Sequence, residues 1–304
     1  MRKKRIRLIN FYTVICCIIT IFLIVGFISF SVLYPEKEKS FVVVESLKIK
    51  KTVKKPTTIE HFEIYPEKED INELLSPDGS IHKNGLPKVA IIIDDIGFDK
   101  PIGLKLMDLG IPITLSILPY SPHGDSLIYK ARERGIELML HLPMEPFEYP
   151  KVNPGFGAIL TGMDRETIVD KLEKSLIDVP YIKGVNNHMG SKLTSDEAIM
   201  NIVMGVILEK KLFFIDSRTS KYTVCEKVAK EIKIPFAKRD IFLDHSNDEE
   251  SIGKQVDQLI KVAEKKGRAI GIGHPYNFTY NVLQKRIPLM KLRVQFVKAS
   301  ELVN

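Results

Sequence analysis

The sequence predicts an α/β protein built on parallel strands, and it favours a barrel over an open doubly wound sheet. Three observations carry this. From Lys88 onward, short apolar runs alternate about seven times with segments of helical period. Nearly every run ends on a polar, chemically capable residue: Asp94 and Asp95, His141, His188, Asp216, Asp244 with His245, and His274. Barrels collect such groups around a ring at the carboxyl ends of their strands, whereas an open sheet offers ligands only its switch point. Finally, no G-x-G-x-x-G follows a run and there is no phosphate loop, so a nucleotide-binding sheet is not indicated.

The chain begins with MRKKRIR, whose five positive charges make residues 1–7 a basic tail. Residues 8–34 contain no charged side chain, and this stretch exceeds the roughly 20 residues a helix needs to cross a bilayer. Basic residues before the span favour a cytoplasmic N-terminus and an exported body, periplasmic or at the cell surface. A cleaved signal peptide has an apolar core of about 7–15 residues and an A-x-A-like site. Neither is present, so an uncleaved anchor is expected. Residues 35–87 mix Lys, Glu and Pro with few apolar side chains and read as an extended linker. Within it FVVVESLKI has the composition of a strand, and His61 and His82 read as solvated.

Charge narrows the function classes. The net charge is +7, yet residues 1–87 hold 14 Lys/Arg against 10 Asp/Glu, and 88–304 hold 31 against 28. The body is nearly balanced and carries no basic stripe interleaved with aromatics, so no nucleic-acid partner is expected. Cys16 and Cys17 lie in the apolar span and Cys225 stands alone in the body. The domain at 88–304 must therefore be held by its core rather than by a disulfide.

In that domain the expected strands are VAIIID, ITLSIL, ELMLH, GVNNH, LFFID, IFLDH and AIGIGH. Between them lie the expected helices PIGLKLMDLG, GDSLIYKARERG, RETIVDKLEKSLID, DEAIMNIVMGVILEKK, VCEKVAKEI and ESIGKQVDQLIKVAEKKG. Gly110, Gly135 and Gly267 are placed to end helices. Thr194, Ser195 and Asp196 precede an apolar run as an N-cap region.

The first strand ends on Asp94 and Asp95. Successive strand residues face opposite ways, so at a strand end one can face a metal and the other the reactants. Two carboxylates this close also split each other's proton affinity, which suits a general base beside a charged centre. A helix cap would explain one aspartate but not two. His141 closes ELMLH, and Glu145 follows four residues later, where Pro143 and Pro146 argue against a shared helix. His188 sits behind Asn186 and Asn187 in an unusually polar strand end. His274 follows Gly271 and Gly273, which allow close approach of backbone or ligand. Asp216, Ser217, Arg218 and the Arg239–Asp240 pair are either salt bridges closing the barrel top or groups facing substrate. The long loop EPFEYPKVNPGFGAILTGM carries Tyr149 and Phe156, which can stack on a sugar ring. Aspartates and histidines on separate strand ends suit Zn²⁺ or a similar divalent ion with an open position. Asp94 with Asp216 as paired carboxylates, in a glycoside hydrolase, is an alternative. No G-x-S-x-G elbow supports a serine hydrolase.

The motifs IIIDDIG, HLPMEP, NPGFGAILTGM, NNHMGSKLTSD, FFIDSRTS, RDIFLDHS and GIGHP, in this order, resemble the divergent polysaccharide deacetylases, a branch of the metal-dependent polysaccharide deacetylases. The resemblance covers essentially 88–304. It implies an irregular seven-stranded (β/α) barrel and a divalent metal. It also implies Asp94 as catalytic base, Asp95 and His141 as metal ligands, and His274 as general acid. Two departures matter. The wider superfamily has a second ligand histidine four residues after the first, where this chain has Glu145. Its arginine-proline motif is missing, and NNHMGS occupies that region. His188 is expected to be the replacement ligand, with Glu145 as its substitute. Asp216 remains a further catalytic candidate, and Asn187, Arg218, Arg239, Tyr149 and Phe156 are expected to contact substrate. The function so implied is a membrane-anchored carbohydrate deacetylase acting on an envelope polysaccharide. A non-catalytic glycan- or protein-binding module on the same barrel is the other alternative. The oligomeric state is left open.

Overall fold

A computed structural model describes residues 85–304. The basic tail, the apolar span and nearly all of the linker lie outside the described residues. Among those described, no helix is long and apolar enough to cross a membrane.

The strands expected at 88–304 form, and every pair is parallel. They are β1 (Lys88–Ile96), β2 (Thr114–Ile117), β3 (Glu137–Met144), β4 (Gly184–Met189), β5 (Phe213–Asp216), β6 (Phe236–Lys238), β7 (Ile241–Phe242), β8 (Arg268–Gly273) and β9 (Gln295–Phe296). The helices are α1 (Lys100–Met107), α2 (Gly124–Glu133), α3 (Arg165–Asp178), α4 (Glu197–Glu209), α5 (Cys225–Ile232), α6 (Glu249–Lys266) and α7 (Asn277–Met290). Side-chain caps from Asp99, Asp164, Asp196 and Asp248 start α1, α3, α4 and α6. Asp196 is thus the cap within the expected triplet, while Leu193–Ser195 forms a short 3₁₀ turn. Gly267 ends α6 in the left-handed conformation that favours glycine.

The sheet runs β6-β5-β4-β3-β2-β1-β8-β7, with β9 on β1. Its two ends, β6 and β7, are consecutive pieces of one chain segment. The segment pairs first with β5 and then with β8. Between them the Arg239 N–H donates to the Asp216 carbonyl and the Asp240 N–H to the Ile270 carbonyl. No ladder joins β6 to β7, so the sheet curls round and its seam is bridged by the covalent chain. The expected strand IFLDH is therefore shorter than its apolar run suggests, because its pairing with β8 ends at Phe242, with the Leu243 N–H donating to the Ile272 carbonyl. Helix α7 and strands β6 and β9 lack a clear sequence period and were not expected.

Strand alternation sorts the side chains into two cores. One face of the sheet packs Val89, Ile91, Ile93, Leu115, Leu140 and their neighbours against the helices. The inner face packs Ala90, Ile92, Met139, Ile215, Ile270 and Ile272. The C-terminal segment closes the lower end by adding Val297, Ala299 and Leu302 to the inner core. It is pinned there by polar contacts. The Ala299 N–H donates to Thr114 Oγ1, the Thr114 hydroxyl to Glu137 Oε1, and the Ser300 N–H to the same Glu137 oxygen. The upper, carboxyl-end mouth is left to polar residues.

The turn after β1 tests this geometry. Gly97 has φ +135°, and a Cβ there would lie 1.9 Å from Ser121 Oγ and 2.4 Å from Ser121 Cβ. Gly110 also has positive φ, but open space around it. Gly110→Ala is expected to cost about 1–2 kcal/mol from backbone strain alone. Gly97→Ala adds a steric clash and should cost about 2–4 kcal/mol. Urea unfolding of both variants checks this, and equal midpoints would refute the proposed close packing of the β1–α1 turn.

Candidate metal centre

Two adjacent aspartates reach one mouth because the strand breaks its own alternation. Asp94 follows Ala90 and Ile92 on the inner face. Past Ile93 the pairing with β2 shifts register, and Asp95 takes a left-handed φ of +53°. That turn, rare for a non-glycine residue, swings its carboxylate back toward the mouth. Met189 and Arg218, at the ends of β4 and β5, share the positive φ. Positive φ thus recurs where β1, β4 and β5 end, while Tyr181, Lys211 and Lys233 adopt it at the opposite end, ahead of β4, β5 and β6.

The turn sets Asp95 Oδ1 3.2 Å from His141 Nε2 and 3.0 Å from His188 Nδ1, and the two histidine nitrogens are 3.2 Å apart. Among the described residues these three form the one group of acidic, histidine or cysteine ligands close enough to share a metal. Asp95 Oδ1 is buried and has no hydrogen bond of regular geometry to either ring. Three lone-pair atoms in a near-equilateral triangle fit a tetrahedral ion, whose metal–ligand lengths imply donor separations of about 3.3–3.4 Å. The donor set, one carboxylate and two imidazoles, leaves a fourth position free and suits Zn²⁺ or a similar divalent ion.

Asn186, two residues before His188 and on the same face, organises the floor. Its carbonyl accepts the Ser116 hydroxyl at 2.5 Å and lies 3.0 Å from His141 Nδ1. A protonated Nδ1 leaves His141 Nε2 as the ligating lone pair, as outer-shell partners of metal-bound histidines do. The Asn186 amide donates to both Asp94 oxygens, at 2.8 and 3.1 Å, and to Ser217 Oγ. Asp94 is buried. Burial pushes its pKa up, only partly offset by His141, His274 and Asn186. Burial also acts to raise Asp95, but His188, His141 and His274 outweigh it and hold that carboxyl well below the usual range. The pair is split, one oxygen pair basic and the other a standing anion. Burial works to lower His141, and Asp94 and Asp95 outweigh it, so its pKa is raised.

His274 enters from β8. Its Nδ1 lies 3.0 Å from Asp244 Oδ1, while the His274 N–H and the Thr279 hydroxyl both donate to Asp244 Oδ2. Its Nε2 is 3.9 Å from Asp95 Oδ2. An aspartate gripping Nδ1–H fixes the ring and presents Nε2 to the mouth.

Other expected site residues fall elsewhere. Glu145 is no ligand. Its carboxylate holds Lys192 Nζ at 2.7 Å and accepts the Thr161 N–H and hydroxyl, tying two loops together. Asp216 accepts the Arg218 N–H and the Thr223 hydroxyl, so it shapes its own loop instead of facing Asp94 as a paired carboxylate. Asn187 is fully buried on the opposite strand face. Its amide donates to the Met189 carbonyl and its oxygen accepts the Ser217 N–H, leaving nothing for a substrate. Arg239 is buried, bonds the Ser217 and Arg218 carbonyls and covers Phe242, so it braces the β5 and β6 ends. Arg218 is half-buried on that same turn. Tyr149 and Phe156 are exposed, Phe156 by 84%. Their loop is anchored midway by Ile159, whose N–H donates to the Pro143 carbonyl. The sequence alone assigns no role to Asn186, Ser116 or Asp244. Counting back by two from His188 would have placed Asn186 on the ligand face.

Fold and site together define a class: a curled parallel α/β sheet with a metal-type donor cluster at its carboxyl end, flanked by a buried aspartate and an aspartate-held histidine. The sequence model of the divergent polysaccharide deacetylases matches residues 91–303. The chain belongs to that family. It is 34% identical over 217 residues to the uncharacterized protein YibQ of Escherichia coli K12, covering 71% of this chain and 67% of that one. An uncharacterized Haemophilus influenzae protein is 34% identical over 215 residues, with 71% and 76% covered. The crystal structure of an uncharacterized Agrobacterium tumefaciens C58 protein superposes with a TM-score of 0.69 at 26% identity, covering 77% of this chain and 94% of that one.

Glu145 yields a pH prediction. Burial raises its pKa, but Lys192 and the Thr161 donors outweigh this and hold it below the ordinary value. A depressed folded-state pKa stabilises the fold above the unfolded carboxylate's value of about 4.3, and that contribution is lost as pH falls through the folded value. Glu145→Gln is expected to cost about 1–3 kcal/mol at pH 7. The difference from wild type should shrink steadily below about pH 4.3. Thermal melts from neutral to acid pH check it, and a gap that stays constant would sink the assignment.

Proposed function

We propose that the protein is a membrane-anchored, divalent-metal-dependent carbohydrate deacetylase that acts on an envelope polysaccharide. The observation that carries this reading is the convergence of Asp95 Oδ1, His141 Nε2 and His188 Nδ1 beside Asp94 and the Asp244-held His274. Family membership supplies the reaction class. The uncharged run at 8–34 behind a basic tail supplies the anchor and directs the domain out of the cytoplasm.

Asp95, His141 and His188 would hold the ion. When bound there, it supplies a Lewis acid for the acyl carbonyl and an acidified water. The protein's own groups do the rest. Asp94, made more basic by burial, takes the proton from the attacking water. The Asn186 amide on both its oxygens fixes the carboxylate's direction. As the bond between the acyl carbon and the sugar nitrogen or oxygen breaks, His274 Nε2 protonates the departing atom. Acetate and the free amine or hydroxyl are the products. Tyr149 and Phe156, exposed on the β3–α3 loop, offer aromatic faces to a sugar chain.

Full-length protein in detergent tests the reading through metal content and acetate release from acetylated glycans. Asp94→Asn should keep the metal and lose at least about 100-fold in release. His188→Ala should lose the metal itself. Wild-type protein that binds no divalent ion would end the proposal, and bound metal with no release from any glycan would turn it toward a binding module. Membranes washed at alkaline pH should retain the chain at its uncleaved mass, and release of a shorter soluble form would refute the anchor.

A further inference from the structure

A cavity of about 490 Å³ lies at the lower end of the barrel, at the amino-terminal ends of β6 and β8 and opposite the metal-type cluster. Its wall carries Lys230, Lys233, Lys238, Lys266 and Arg268, against the two carboxylates of Glu226 and Asp240. Those carboxylates are already shared. Glu226 takes Lys230 and Lys238 at 2.8 and 2.7 Å, and Asp240 takes Lys266 at 3.0 Å. Asn304 also lines the cavity, and even with a carboxyl counted there three acids do not neutralise five cations, so the wall stays positive. Ile234, Ile270 and Leu302 give it an apolar floor. The chemistry is that of a site for an anionic segment with apolar side chains.

The chain carries such a segment close by. Residues 60–78 hold seven carboxylates and one lysine, Lys68, together with Phe62, Ile64, Tyr65, Ile71, Leu74 and Leu75. The preceding stretch at 48–55 has the opposite character, with five lysines and no acid. The acidic segment is tethered beside the cavity. Lys88, the first residue of β1, is in register with Arg268 on the cavity wall, and its N–H donates to the Gly267 carbonyl at 2.9 Å. The ten residues that lead from Asp78 to Lys88 can span up to about 33 Å. That reach puts the segment at an effective concentration in the mM range, which a free anion must outcompete.

We propose that residues 60–78 dock in this basic cavity and strap the linker to the lower face of the domain. This inference does not depend on the proposed activity.

Amide hydrogen exchange on the full chain in uncharged detergent tests it. At low salt, amides in 60–78 should exchange about tenfold more slowly than their intrinsic rates, as a mM effective concentration and a sub-mM site affinity require. The protection should vanish in about 0.5 M salt, and in Lys230→Glu/Lys233→Glu. It should return when Glu67→Lys/Glu69→Lys is added to that variant. Lys174→Glu, on α3, should leave it unchanged. Melting temperatures confirm that each variant folds. Intrinsic rates in wild type at low salt, or protection that survives reversal of the cavity lysines, would overturn the proposal. So would a cavity whose reversal abolishes binding to anionic phospholipid vesicles while 60–78 remains unprotected, since the occupant would then be a lipid headgroup.

Discussion

The candidate centre depends on one neutral side chain. Asn186 stands on β4 and touches groups from four other places in the fold: Ser116 on β2, His141 on β3, Asp94 on β1 and Ser217 after β5. An amide can do this because it carries acceptor and donors at opposite ends. The acceptor end selects a histidine tautomer, and the donor end satisfies a buried carboxylate. An aspartate there would put a second charge against Asp94, and an apolar residue would leave Asp94 buried without donors. The metal-type donor cluster and the buried Asp94 carboxylate are coupled through this amide.

The second constraint is the backbone. A regular β1 would send Asp94 and Asp95 to opposite faces, and the cluster would not exist. The register shift after Ile93 and the left-handed turn at Asp95 bring both carboxylates to one side. Such conformations persist only where the surroundings hold them. Here Gly97 packs on Ser121, and Ile92 and Ile96 are fully buried on either side of the turn. Core packing and site geometry therefore share residues.

The two ends of the barrel divide the work. The lower end is closed by the C-terminal segment, whose apolar side chains enter the inner core and whose N–H groups bond Thr114 and Glu137. The upper end stays polar, with Asp244 gripping His274 and Glu145 tying the long β3–α3 loop to Lys192. Among the described residues the metal-type donor cluster lies at this one rim. The other end carries the basic cavity lined by Lys230, Lys233, Lys238, Lys266 and Arg268.

Much of this was legible in the sequence. Period-2 runs and glycine-ended helical segments specify local conformation, so the alternating strands and helices could be read directly, as could the six helices with clear caps or periods. Strand ends marked by Asp94, Asp95, His141, His188 and His274 identified the residues that gather at the mouth. Helix α7 and strands β6 and β9 escaped because neither a period nor a turn signal marks them, and their places come from packing against β1, β5 and α6. Roles at the mouth were also beyond the sequence. Glu145, Asp216, Asn187 and Arg239 have the right chemistry at the right ends of strands, but whether a side chain faces the mouth or braces a loop depends on partners far along the chain. Asn186 and Asn187 are adjacent and identical in type, yet alternation places the first at the centre of the cluster and commits the second to the Met189 and Ser217 backbone. The sequence by itself determined which elements form and which residue types reach the rim. Only the tertiary structure decided which of them converge, because convergence depends on a left-handed turn and on contacts between residues as distant as Asp94 and Asn186.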